Sequence, residues 1–148
     1  MGATIHASAV LLGARAVLIR GPSGCGKSRL AAALLAAPQI GAGGFTRLVA
    51  DDRVDLAAHH GRLIARPPPA LAGLLEVHGL GIRRVPYEGA AVVGWVVELA
   101  AADAARLPDA GSEGTRIAGV ALPRLAVASG QDAFPLLVGM LTWPCSLP

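Results

Sequence analysis

Gly21-Pro22-Ser23-Gly24-Cys25-Gly26-Lys27-Ser28 is the stretch on which the reading of this chain turns. It fits G-x-x-x-x-G-K-[ST], a loop whose backbone N–H groups cradle nucleotide phosphates while a compact ammonium reaches the outer phosphates and a hydroxyl ligates Mg²⁺. Lys27 is the one lysine in the chain, against twelve arginines. Arginine's planar fork cannot stand in for an ammonium acting as a point charge, so a lysine kept at this position points to phosphate. The flanks agree: the apolar run Ala16-Val17-Leu18-Ile19 precedes the loop, and an alanine- and leucine-rich helical run, Arg29 to Ala37, follows it.

The bulk properties narrow the field. With 148 residues, 53% of them hydrophobic, the chain reads as one domain, 1–148, able to bury a core. Its longest uncharged stretches, Leu30–Thr46 and Ala133–Pro148, are broken by prolines and, in the first, by three glycines, so neither reads as a membrane span. No signal-peptide pattern opens the chain, and two cysteines, one of them Cys25 inside the loop, make no disulfide framework, so a cytoplasmic protein is expected. A formal charge of +3 would suit nucleic acid, but the arginines are scattered and aromatics are 3% of residues, leaving no stacking platform.

Further candidates lie on either side of the loop. Thr4–Leu12 and Ala16–Ile19 read as a hairpin around the three-residue loop Gly13-Ala14-Arg15, which faces Ser8 with Arg20 and sets His6 across from Pro22, at the mouth of the phosphate loop. Arg47-Leu48-Val49-Ala50 is a short strand ending in Asp51-Asp52, about two dozen residues beyond the loop. Carboxylates there can hold Mg²⁺ or take a proton from an attacking group. Val54–Ala58 and Arg62–Ala65 flank His59-His60-Gly61 as a second hairpin whose histidines form a solvated turn. Leu71 to Arg84 is apolar but interrupted by Glu76, and a carboxylate in such a segment calls for a partner, for which a bound cation serves. Val92–Leu99 reads as a strand, 103–114 as turn-rich, Ile117–Val127 as apolar again, and Gln131–Leu141 as a short closing helix.

Taken together, the hairpin histidine, the phosphate loop, the double aspartate and Leu75-Glu76-Val77-His78-Gly79-Leu80-Gly81-Ile82 resemble the catalytic domain of HPr kinase/phosphorylase, over roughly residues 4 to 107, and in particular its short alphaproteobacterial forms. The resemblance implies an α/β phosphate-loop kinase domain related to phosphoenolpyruvate carboxykinase, with mixed sheets and a helix after the loop. It implies an ATP-dependent protein serine kinase acting on HPr, the phosphocarrier of the phosphotransferase system, and often a homohexamer. Carried over residue by residue, Gly21, Pro22, Ser23, Gly24, Cys25, Gly26, Lys27 and Ser28 would bind ATP, with Lys27 on the β- and γ-phosphates and Ser28 on Mg²⁺. Asp52 would take the proton of the substrate serine, supported by Asp51 and His6; Glu76 would be a second magnesium-linked carboxylate, and Arg106 would offset charge on the transferred phosphoryl group.

The chain departs from that pattern at several places. Arg29 follows the loop where the long forms carry glutamate, and His78 stands where the signature has arginine. The arginine- and glycine-containing loop tied to dephosphorylation in the long forms is replaced by Val120-Ala121-Leu122-Pro123-Arg124-Leu125-Ala126-Val127, so the kinase direction is the one expected. The ending Trp143-Pro144-Cys145-Ser146-Leu147-Pro148 does not match the helical end with which the long forms meet HPr and neighbouring subunits. Two other readings use the same loop: a small-molecule kinase, and a non-catalytic module that senses ATP.

Overall fold

The computed structural model describes residues 2–37, 44–106 and 114–143. Most of 38–44, whose proline and glycines read as a loop, much of the turn-rich 103–114 and the tail beyond 143 lie outside the described residues.

Strands β1 (Ala3–Leu12) and β2 (Arg15–Arg20) form the expected hairpin, with one correction to its register. The turn has two residues, Gly13-Ala14, and Gly13 takes φ 72°, which suits a tight hairpin with glycine at the first central position. Ser8 therefore pairs with Ile19, and Ala7 with Arg20. A slip of one residue exchanges the faces of a strand, and packing selects the observed register: Val10, Leu12, Val17 and Ile19 share one core while Ala7, Ala9, Ala16 and Leu18 share another.

The opposite edge of β1 is taken by two strands in succession. Strand β3 (Thr46–Ala50) pairs with Ala9–Leu12, and β4 (Arg53–His59) with Ala3–His6. Between them Asp51-Asp52 lies beside Ser8 and Ala7, the Ala7 N–H donating to the Asp52 carbonyl at 3.2 Å. A register shift between Ala9 and Val10 marks a bulge just before the aspartates, and bulges of this kind re-aim side chains. Strand β5 (Arg62–Arg66) completes the second expected hairpin across the exposed turn His59-His60-Gly61, where His60 and Gly61 both take positive φ.

Later in the chain, β6 (Leu74–Val77) and β7 (Gly81–Arg84) form a separate two-stranded ribbon. Strand β8 (Ala91–Glu98) pairs antiparallel with β5 and parallel with β2, so β2, β1, β4, β5 and β8 close a ring. Alanines at 7, 9, 16, 50, 65 and 91 line its inner cluster, and their small side chains let the strands come close. The outer cluster packs against the helix α1 (Lys27–Leu35) through Leu30, Ala31 and Leu34. Strands β9 (Gly114–Ile117) and β10 (Val120–Ala126) extend the sheet beyond β8, and the proline of Pro123 is accommodated opposite Gly114. The closing helix α2 (Ala133–Thr142) is capped by Asp132, whose carboxylate accepts from the Phe134 N–H at 3.1 Å. Pro135 falls in its first turn, where a missing N–H breaks no helical bond. No described helix is long and apolar enough to cross a membrane.

Candidate active site

The phosphate loop spans the gap between β2 and α1, and its glycines make the turn. Gly21, Gly24 and Gly26 take φ of 153°, 79° and 103°, values that side-chain-bearing residues rarely adopt. At Gly21 there is also no room, since a Cβ would lie 2.6 Å from Cys25 Sγ and 3.0 Å from the Leu99 carbonyl. Cys25 packs against the helix-side core, so its part is filling space under the loop. The first bond of α1 runs from the Leu30 N–H to the Gly26 carbonyl, and the N–H groups ahead of it are those an anion meets at a helix start.

Lys27 Nζ donates to the Gly21 carbonyl at 2.8 Å and the Pro22 carbonyl at 3.0 Å, which holds the ammonium over the loop. An ammonium has three donors, so one remains for a phosphate oxygen.

Asp51 and Asp52, neighbours in sequence, are divided by the backbone. Asp52 takes φ 69°, in the left-handed region, and is exposed on the wall of a cleft, whereas Asp51 is 4% exposed and lies behind it. Asp51 ties three elements together. Its Oδ1 accepts from Ser8 Oγ at 2.6 Å and Ser28 Oγ at 2.8 Å, and its Oδ2 accepts from the Glu76 N–H at 3.1 Å. The Ser28 hydroxyl spends its proton on Asp51 and so turns its lone pairs outward, the orientation a metal ligand needs.

Lys27, Ser28, Ser23, Gly24, Gly26, Asp52 and Glu76 line this one cleft, of about 580 Å³, together with Arg29, Ala32, Val77 and His78. The hydroxyl of Ser28 and the carboxylates of Asp52 and Glu76 are hard oxygen donors, as Mg²⁺ requires. No cluster of three or more metal-ligating side chains exists among the described residues. An ion that accompanies phosphates needs one or two side chains rather than an all-protein cage.

Six predicted residues stand outside the cleft lining: Gly21, Pro22 and Cys25 in the loop, Asp51 behind it, and His6 and Arg106. His6 lies on the same face of β1 as Ser8, two positions nearer the chain start, and pairs with Arg53, the residue after Asp52. Arg106 is exposed at a bend beyond β8. Residues that sequence reasoning passed over are also part of the arrangement. Ser8, fully buried, had one signal, a hydroxyl inside the apolar run Ala7–Leu12. Arg20, which opens the loop, is paired with Glu98 at 2.8 Å across the parallel strands β2 and β8. Glu98 also faces Arg124 at 3.5 Å, and Arg124 grips Asp103 with bonds of 2.8 and 2.9 Å. Hydrogen bonding from Arg124 holds the exposed Asp103 carboxyl below its ordinary range, and bonding to Asp103 raises Arg124.

The chain is similar to the HPr kinase/phosphorylase of Clostridium tetani, 46% identical over 70 residues, which are 47% of this chain and 21% of the relative. It is similar to that of Clostridium beijerinckii, 41% identical over 78 residues, 53% of this chain and 24% of the relative. The matched stretches thus span less than a quarter of those two curated relatives. In structure it is similar to the Hpr(Ser) kinase/phosphatase of Coxiella burnetii, with a TM-score of 0.72 and 26% identity over 94% of this chain and 87% of that one. The family model for the HPr Serine kinase C-terminal domain matches residues 2–93, the span that holds the phosphate loop, the two aspartates and the Glu76 ribbon, and the chain belongs to that family.

Proposed function

We propose that this chain is an ATP-dependent protein kinase that phosphorylates a serine of an HPr-type phosphocarrier, and that 1–148 acts as one catalytic domain. The observation that carries this reading is the division of labour at the double aspartate, with Asp51 orienting Ser28 from behind and Asp52 exposed in the same cleft as Lys27, Ser28 and Glu76. In the reaction, the substrate serine oxygen forms a bond to the γ-phosphorus of ATP, the bond from that phosphorus to the β–γ bridging oxygen breaks, and ADP leaves. The serine proton passes to Asp52. Lys27 and the loop N–H groups hold the phosphates in line, and positioning supplies most of the acceleration. Ser28 and Glu76 would hold Mg²⁺, which would supply charge neutralisation at the phosphates. His6 supports Asp52 from the neighbouring strand, and Arg106 offsets charge on the transferred group. A homo-oligomer, hexameric as in the family resembled, and a cytoplasmic location complete the proposal.

One assay tests it: the purified chain is incubated with labelled ATP, Mg²⁺ and the HPr-type protein of the same genome, and phosphoserine is mapped. Label on the phosphocarrier is expected. Label on a metabolite would establish a small-molecule kinase instead, and ATP bound but unconsumed would establish a sensing module.

A further inference from the structure

The ribbon β6–β7 leaves the main sheet beside the cleft and carries two large aliphatic side chains into water. Leu75 and Val77 face the helix-side core, so the alternate position Glu76 faces outward. Ile82 is the register partner of Glu76, and paired residues of an antiparallel ribbon stand side by side on one face. Ile82 is 61% exposed and Leu80 62% exposed. The turn between the strands is held by its own backbone, with Leu80 N–H donating to the Val77 carbonyl at 2.9 Å and with Gly79 and Gly81 at φ 88° and 86°. Open space surrounds both glycines, and no described atom lies within 4 Å of a Cβ built at either. Arg83 and Arg84 follow directly, exposed, and neither joins an ion pair among the described residues.

This surface is continuous with the cleft: His78 lines it, Leu80 is two residues farther out, and Ile82 stands beside Glu76. A macromolecule that brings a hydroxyl to Asp52 enters a cleft that Glu76 and His78 of the ribbon also line. Its charge also selects the occupant, because a second copy of a chain of net charge +3 would meet Arg83 and Arg84 with its own excess of positive charge. Resting on the kinase reading above, we propose that the outer face of the ribbon is the dock for the phosphoacceptor protein. Leu80 and Ile82 receive an apolar side chain next to the acceptor serine, and Arg83 and Arg84 meet acidic groups farther along its surface.

The test measures steady-state transfer to the HPr-type phosphocarrier by the unaltered chain and by L80S, I82S and the double variant R83A/R84A, with ATP affinity and solution mass measured for each. The serine variants are expected to raise the KM for the phosphocarrier about tenfold or more. ATP affinity should stay within about twofold, which also shows that the fold and the loop survive. The double arginine variant is expected to raise KM less and to flatten its dependence on salt. Transfer with an unchanged KM in L80S and I82S overturns the dock and leaves the kinase reading standing. A KM that rises only together with a change in solution mass also overturns it, in favour of a contact between copies. Failure of the unaltered chain to label the phosphocarrier overturns the kinase reading and takes the dock with it.

Discussion

The two walls of the cleft are built on opposite principles. On one side the phosphate loop, α1 and the Asp51 carboxylate are locked together by buried hydrogen bonds from Ser8, Ser28 and the Glu76 N–H. On the other, β6 brings Glu76, Val77 and the adjoining His78 to the cleft, and β7 beside it is exposed along its whole length and, among the described strands, pairs with β6 alone. A triphosphate presents the same geometry every time, so the wall that meets it can be fixed in advance by a satisfied polar network. A protein surface is larger and must be met and released, so the wall proposed to receive it keeps its apolar groups in water. Within the rigid wall the contrast repeats on a smaller scale, with Asp51 bound from three directions and Asp52, one residue on, turned toward the cleft by a left-handed backbone.

The sharpest test of that contrast is Asp52→Asn. It should reduce transfer about 10²- to 10⁴-fold, the usual range for loss of a general base, while a fluorescent nucleotide titration shows ATP affinity preserved. Normal transfer would remove Asp52 from the mechanism. Lys27→Ala strikes the rigid wall itself and should lower transfer roughly 10²- to 10³-fold with a parallel loss of nucleotide affinity. An unchanged affinity would contradict the role given to the loop. Ser8→Ala touches neither ATP nor acceptor, yet it leaves Asp51 short of one buried donor and should lower unfolding free energy by about 1–3 kcal/mol, as read by denaturant titration. If Ser8→Ala lowered ATP affinity without lowering stability, the wall would owe its order to the ligand rather than to the fold.

The smallest effect belongs to Asp103→Asn, at the far end of the Arg20–Glu98–Arg124–Asp103 chain. Because Arg124 depresses the folded-state carboxyl of Asp103, the contribution is present above the ordinary aspartate range and is lost as pH falls through and below it. The difference in melting temperature between the unaltered chain and D103N should therefore be small near neutrality and vanish in acid. A difference that grew in acid would reverse the sign of the pairing.

Much of this was legible in the residues because the strongest signals were local. The phosphate loop, its strand and its helix follow from glycine spacing and apolar runs, and Asp51-Asp52 announced itself by its place after a short strand. What depended on partners far along the chain was harder to read. The hairpin register shifted by one because the turn closed on Gly13-Ala14, and no local rule decides between a two- and a three-residue turn when packing selects the faces. Ser8 looked like one polar residue in an apolar strand until the β1–β3–β4 pairing set it beside Asp51. The ribbon was unreadable as a ribbon because its alternation is broken by two glycines and because β7 buries nothing. Its signature residues were visible all the same, and the structure adds that Ile82 stands next to Glu76.

The knot at Asp51 also bears on how the chain reaches its native state. Its partners lie 43, 23 and 25 positions away in sequence, so no two neighbouring elements can assemble it alone. Contacts of such separation form only after the loops between them have closed, and they belong to the slow part of folding. The proposed nucleotide site is therefore completed late, and ATP bound there would add its binding free energy to the finished state alone. If the chain binds ATP as proposed, then in a cell rich in ATP a variant weakened at Ser8 or Asp51 would be rescued by the nucleotide, and the defect would surface when ATP runs low.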